Sequence, residues 1–293
     1  MLVFKSNIVE GFFMITKATT REFDGDKYRI NLNINAENSS YSMIFNHITD
    51  NATVLDVGCA CGDLGVVLKN LKNAEMYGLE YNKKSIEIAK KTGAYKEIVH
   101  FDLDQINEDS LPQYRSKFDF IICGDILEHL RDPKFSLNIL KSYLKPKGFI
   151  LASIPNIGHM SVIANLLIND FTYTPIGLLD ETHIHFFTYK SIVRDTCDLN
   201  LKVEECDFTM YSKTGSQPIN PYPLLPIDIQ KFLFKNYHFY VCQYVVKMSV
   251  STDSQESLLE NNFNKLNINE WTAPFYILNY RKQLLEELFL SDL

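Results

Sequence analysis

Residues Val54 to Gly65, VLDVGCACGDLG, pass from a short apolar run through a turn of small residues and directly into a helical pattern. Val54, Leu55 and Val57 read as a buried strand, while Gly58, Ala60 and Gly62 leave the backbone bare enough for a ligand to press against it. Amide N–H groups at the start of the following helix favour an anionic ligand group, such as a carboxylate. Acids recur at the ends of the next apolar runs. Glu80 lies 24 positions after Asp56, where a carboxylate can hold the two hydroxyls of a ribose. Asp102, in HFDLD, is placed to meet the amino edge of a purine, with Leu103 packing beside the ring. A fourth apolar run, FDFIICG, opens into the sequence DILEHL.

These positions converge on one crevice only if the strands that carry them are parallel. From Thr53 onward strand and helix patterns alternate: TVLDV, a helix over 63–71, AEMYGLE, a helix over 83–91, EIVHF, FDFIICG, a helix over 133–144, and GFILASIP. Such alternation predicts a parallel sheet with covering helices, whose strand ends gather at one edge. FDFIICG and GFILASI are apolar almost throughout, as expected of strands covered on both faces. KPKG, at 145–148, reads as the break between a helix and the strand after it. Two later strands, LKVEECDF and YHFYVCQYVVKM, flank the proline-dense loop SQPINPYPLLP.

Residues 1–52 hold one strand, KYRINLNI, and one helix, SSYSMIFNHIT, capped by Ser39 or Ser40; they read as a cap or lid over the ligand end. The core is expected over 53–248. Residues 249–293 read as a polar linker and a terminal helix, whose apolar face (Ile277, Leu284, Leu285, Leu288) docks on the domain or, in a homodimer, on a second subunit.

Composition narrows the function. With 46% hydrophobic residues in 293, the chain can bury a full core. Its 29 Lys and Arg against 36 Asp and Glu, a net charge of −7, supply no basic footprint for nucleic acid. The N-terminus lacks the order of a signal peptide and no run approaches the length of a membrane span, so a cytoplasmic protein is expected. Cysteines at 59, 61, 123, 197, 206 and 242 fit buried thiols, and Cys59 with Cys61 lacks two further nearby ligands for zinc, so no metal is expected. Gly58, Gly62 and Gly65 do not make the G-x-G-x-x-G of a nicotinamide dinucleotide site.

Asp56-x-Gly58-x-Ala60-x-Gly62 instead resembles the first motif, D/E-x-G-x-G-x-G, of class I S-adenosylmethionine-dependent methyltransferases, with Ala60 in place of the middle glycine. The resemblance extends over about residues 38–248. It implies an α/β, Rossmann-like, doubly wound, seven-stranded and mostly parallel sheet with a closing antiparallel hairpin, a helical N-terminal cap and a C-terminal helix. It implies that Asp56 and the backbone of Gly58, Cys59, Ala60 and Gly62 hold the methionine end of the cofactor. Glu80 would hold the ribose, and Asp102 with Leu103 the adenine. The main chain near Cys123 and Gly124 would close the site under the sulfonium, and Tyr81 and Asp125 complete the cofactor-binding set.

Residues 154–192 are similar to a narrower group, the bacterial methyltransferases of surface-polysaccharide and related small-molecule pathways, which carry PN-x3-H followed by GLLD-x-TH-x-x-FFT. This resemblance implies that an insertion over 155–188 forms the acceptor pocket. The acceptor it implies is a sugar, a nucleotide-linked sugar or another polar metabolite of cell-envelope synthesis, methylated on oxygen, with nitrogen or carbon left open.

Methyl transfer from a sulfonium is an in-line displacement, so the protein aligns the acceptor and, for a hydroxyl, removes its proton. Histidine suits that task at neutral pH. Of the seven histidines, His183 is the expected base, its ring oriented by an acidic partner such as Asp180 or Glu181. His129, Asn156, His159, Tyr173 and His185 are expected to line the acceptor pocket. Methylation of a protein or RNA, and a silent binding module that keeps the fold, are the alternatives; presence of Asp56, Glu80 and Asp102 argues against the last.

Overall fold

A computed structural model describes residues 32–210, 224–234 and 237–264. Most of KYRINLNI, most of the proline-dense loop and the whole terminal helix expected over 271–290 lie outside the described residues.

Seven strands form one sheet: β1 (Thr53–Val57), β2 (Glu75–Glu80), β3 (Tyr95–His100), β4 (Phe118–Gly124), β5 (Leu144–Pro155), β6 (Leu201–Met210) and β7 (Val241–Val250). Their spatial order is β3-β2-β1-β4-β5-β7-β6, parallel through β5, with β7 antiparallel to both its neighbours. The chain winds outward from β1 in two directions, so a crevice opens where strand order reverses, beyond the carboxyl ends of β1 and β4. Glu80, Gly124 and the Val57 to Gly58 junction all arrive there.

Helices α2 (Asp63–Lys72), α3 (Lys83–Lys91), α4 (Pro133–Leu140) and α6 (Tyr189–Asp198) provide the crossovers, and α5 (Met160–Leu167) lies within the insertion. Leu55, Ile121 and Ile150 on the central strands are wholly buried, each contributing about 1.5–3 kcal/mol of transfer free energy. Local chemistry marks the helix starts: Asn82 accepts from the Ser85 amide, Asp132 from that of Phe135, and Thr188 with Ser191 forms a capping box.

Four sequence expectations change. KPKG does not separate a helix from a strand: Phe118 pairs with Leu144 and Phe120 with Phe149, so 145–148 form a bulge inside β5. Helix α1 (Ser40–His47) begins where expected, yet the Ser39 side chain makes no capping bond. Rather than only covering the ligand end, α1 packs on the sheet, and Ile44 and Ile48 join a buried cluster with Val54, Leu68 and Ile122. Within the stretch read as a polar linker, α7 (Gln255–Asn264) docks on α6 and β6. There the buried Asn262 accepts from the Val203 amide and donates to the Leu201 carbonyl. Among the described side chains of this helix, Leu258 and the Asn262 amide are buried anchors.

Candidate active site

The crevice is a cavity of about 810 Å³. Its floor is the turn after β1. Gly58 and Gly62 adopt φ of +73° and +82°, the left-handed region that glycine tolerates without strain. Ala60 lies there too, at +45°. It is held by Glu80, whose Oε2 accepts from the Ala60 amide at 2.9 Å while Oε1 accepts from that of Asn82 at 2.7 Å. Glu80 thus fastens two loops across the crevice and stands in its wall.

Beneath the turn, Asp56 accepts from the Tyr95 hydroxyl at 2.6 Å. Burial pushes its carboxyl up to about 6, against the opposing effect of the Tyr95 bond and with help from Glu80. Asp56 has an ordinary value of 3.8, so its contribution to stability is fully present below that pH and is lost as pH rises through about 6. A shift of this size corresponds to about 3 kcal/mol. Asp56→Asn should therefore stabilise the ligand-free protein at pH 8 by about 2–3 kcal/mol. The gain should shrink toward pH 4, as urea unfolding at the two values would show; an equal gain at both would refute this account.

Asp125, at the end of β4, has φ of +51° and accepts from the Ser153 hydroxyl at 2.9 Å and the Gln243 amide at 2.7 Å. Burial lifts it to about 6 as well, with the Ser153 bond acting in the other direction. Asp102 caps a short turn by accepting from the Asp104 amide, and Leu103 is buried against the same wall.

The end of the cavity nearest His183 differs from expectation. The segment 177–185 folds over the β4 end because the Ile184 and His185 amides both donate to the Glu128 carbonyl, at 2.9 and 3.0 Å. This strap brings His183 beside Glu128 and His129. The two imidazole rings meet edge to face with centroids 4.8 Å apart, and His183 Nε2 lies 3.9 Å from Glu128 Oε1. Glu128 is 1% exposed, and neither carboxylate oxygen has a hydrogen-bond partner among the described residues. Burial, then Asp125 and Asp180, raise its carboxyl well above the ordinary range. Burial, then His129, lower His183.

Asp180 lines the cavity but does not orient His183. Its Oδ1 accepts from the amide and hydroxyl of Thr182, at 2.9 and 2.6 Å, closing the turn of the loop. The nearer acid is Glu128. Several other expected contacts also move away from the cavity. Cys123 is fully buried in the core, and the wall there is Ile122 and Gly124. Asn156 pins β7, donating to the His238 and Val241 carbonyls, and His159 caps α5 by accepting from the Ser161 amide. Tyr173 is 50% exposed and packs edge to face on Phe171. His185 bonds the Arg131 carbonyl outside the wall. Asp56, Gly58, Cys59, Ala60, Gly62, Glu80, Tyr81, Asp102, Leu103, Gly124, Asp125, His129, Asp180 and His183 all line it.

Sequence reasoning passed over Glu128, Tyr41 and Gln243, which line the same cavity. For Glu128 a signal existed, an acid beside His129 inside the apolar run ILEHL at a strand end. Tyr41 and Gln243 come from elements distant in sequence and carried none.

A family model described as a methyltransferase domain matches residues 48–213. Among curated relatives, the ubiquinone biosynthesis O-methyltransferase of Pasteurella multocida is 32% identical over 113 residues, covering 35% of this chain and 46% of its own. That of Acinetobacter baylyi is 20% identical over 153 residues, covering 52% and 64%. The chain thus spans about half the length of the curated relatives it matches. The structure of StiE O-MT superposes with a TM-score of 0.51 at 11% identity, covering 78% of this chain and 79% of that one. A chain in the Haloferax volcanii complex of a methyltransferase with its activator does so at 0.50 and 14%, covering 72% and 88%. At these identities the likeness is one of fold.

Proposed function

The chain belongs to the methyltransferase-domain family, and from that premise we propose that it is an S-adenosylmethionine-dependent methyltransferase that methylates a hydroxyl of a small acceptor that carries no phosphate. The observation that carries this reading is the Glu128, His129 and His183 cluster, set in the same cavity as the β1 turn.

The residues present fit the cofactor. A turn with left-handed backbone at the alternate positions Gly58, Ala60 and Gly62 presents main chain where a side chain would block it, and the cavity holds more than one ligand-sized group. Asp56 and the Gly58 to Gly62 backbone would hold the methionine end, Glu80 the ribose, and Asp102 with Leu103 the adenine. S-adenosylmethionine supplies a methyl group on a sulfonium. The chain's own part is to align the acceptor oxygen in line with that methyl, to keep water away, and to draw the hydroxyl proton toward the cluster.

The charge of the lining supports one acceptor class. Asp125, Glu128 and Asp180 border the acceptor end, and Arg131 is the sole Lys or Arg in the described lining. Its side chain is 82% exposed and faces Asp104 at 3.6 Å. A phosphate or nucleotide diphosphate would meet carboxylates there and no inward cation, so a nucleotide-linked sugar is disfavoured within the range that residues 154–192 imply. A neutral polyol, sugar or phenol fits. The curated relatives are O-methyltransferases named for ubiquinone biosynthesis, which supports an oxygen acceptor and lends no support to a cell-envelope pathway. The same acids would also hold an amine, the second reading.

Incubation with S-adenosylmethionine and matched neutral, amine-bearing and phosphorylated hydroxyl compounds, read as S-adenosylhomocysteine formed, tests this. Turnover should concentrate on the neutral set. Preference for phosphorylated compounds would sink the reading, and methylation at nitrogen would replace it with the second.

A further inference from the structure

We propose that Glu128, His129 and His183 form a binding site for one first-row divalent cation, which receives the acceptor oxygen. The inference rests on the O-methylation reading only for the cation's use; the site itself stands on geometry.

The ligand atoms of the three residues all lie within 4.8 Å of one another. A tetrahedral shell with bonds of about 2.1 Å sets its ligand atoms about 3.4 Å apart. Glu128 Oε1 and His183 Nε2, at 3.9 Å, are already close to that spacing. Small rotations of side chains on the cavity wall complete the contraction.

The hydrogen bonds of the rings fix their chemistry. His129 Nδ1 faces the Thr182 carbonyl at 3.1 Å, and His183 Nδ1 faces the Leu178 carbonyl at 3.2 Å. A carbonyl only accepts, so in each ring Nδ1 carries the proton and Nε2 the lone pair. Backbone carbonyls behind the distal nitrogen are how proteins orient metal-binding imidazoles.

Glu128 supplies the independent observation. A carboxyl 1% exposed, with neither oxygen hydrogen-bonded among the described residues, is costly to keep, by about 1–3 kcal/mol, and protein interiors rarely tolerate it. A cation between it and the two Nε2 atoms would satisfy it. Two imidazoles and one carboxylate suit zinc, manganese or iron(II) better than magnesium, which demands oxygen. Three protein ligands facing a cavity leave positions open for water and an acceptor oxygen, the arrangement of catalytic rather than structural metal sites.

The step then balances without a further reagent. A cation held by Glu128, His129 and His183 would acidify the acceptor hydroxyl, whose proton would pass out to solvent, while the oxygen–methyl bond would form as the sulfur–methyl bond breaks and the thioether would leave neutral.

The test titrates Zn²⁺, Mn²⁺ and Mg²⁺ separately into the chelator-stripped full chain by calorimetry, with metal content measured after gel filtration. We expect one equivalent of Zn²⁺ or Mn²⁺, at least about 10-fold tighter than Mg²⁺. Glu128→Gln, which keeps the shape of the side chain, should weaken that binding at least about 10-fold with no loss of melting temperature. Absence of stoichiometric binding, or binding unchanged in Glu128→Gln, overturns the site. If the stripped protein binds no metal yet methylates a neutral hydroxyl compound at full rate, the cation falls and O-methylation stands. One equivalent of metal with turnover confined to amines supports the site and removes O-methylation.

Discussion

Glu80→Ala should weaken S-adenosylhomocysteine binding about 100-fold or more, the largest single effect on affinity expected anywhere in the chain. Two terms add. A carboxylate accepting from two ribose hydroxyls makes charge-assisted hydrogen bonds worth about 1.5–3 kcal/mol each. The same carboxylate already accepts from the Ala60 and Asn82 amides, so its loss also frees the turn that carries Ala60 at a left-handed φ. An alanine at that conformation is retained against strain of about 1 kcal/mol and needs the anchor. Glu80→Gln separates the two terms: its amide oxygen can keep one backbone bond, so affinity should fall less than in Glu80→Ala. Calorimetric titration with S-adenosylhomocysteine reads both variants. A change of less than about threefold in Glu80→Ala would remove Glu80 from the cofactor site.

The convergence of the β1 turn, Glu80 and Asp102 on one cavity was legible because its determinants are local. A turn, its glycines and the acid at the next strand end follow from short motifs and from the rule that parallel strand ends share an edge, and the sheet order places them there. The surroundings of His183 were only partly legible, because their determinants are contacts between segments far apart in sequence. Nothing in DETHIH says that the Ile184 and His185 amides will close on the Glu128 carbonyl, and that strap decides which acid His183 meets. Asp180, three residues from His183, was the natural partner by proximity. It is spent instead on the Thr182 turn, since Asp and Thr two residues apart bond their own backbone readily. Asn156 and His159 were misplaced for a related reason: polar residues in an insertion suggest a pocket, yet both serve the backbone, one pinning β7 and one starting α5. The bulge at 145–148 hid behind ordinary turn residues, Pro146 and Gly148, which signal a break whether the strand stops or merely kinks.

Glu128 and His183 part company when each is replaced, and the difference reveals whether the pair exists for folding or for chemistry. His183→Ala should lower turnover about 10³-fold with S-adenosylhomocysteine affinity changed less than about threefold, because removal of a group that activates the acceptor hydroxyl, as base or as cation ligand, forfeits about 10²–10⁴ in rate while the β1 turn is untouched. It should also cost stability modestly, through the lost bond to the Leu178 carbonyl. Glu128→Met should lower turnover by a similar factor and yet raise stability, by about 2 kcal/mol in metal-free protein, since a buried carboxyl without a hydrogen-bond partner among the described residues is exchanged for an apolar side chain of similar length. For a core of this size that gain corresponds to a melting temperature higher by about 4–8 °C. A residue kept for packing would behave oppositely, losing stability with turnover preserved. If Glu128→Met proves less stable than the parent chain, the carboxyl has a partner in solution and its role is structural. If it is both more stable and inactive, the fold carries Glu128 at a cost that only the reaction explains.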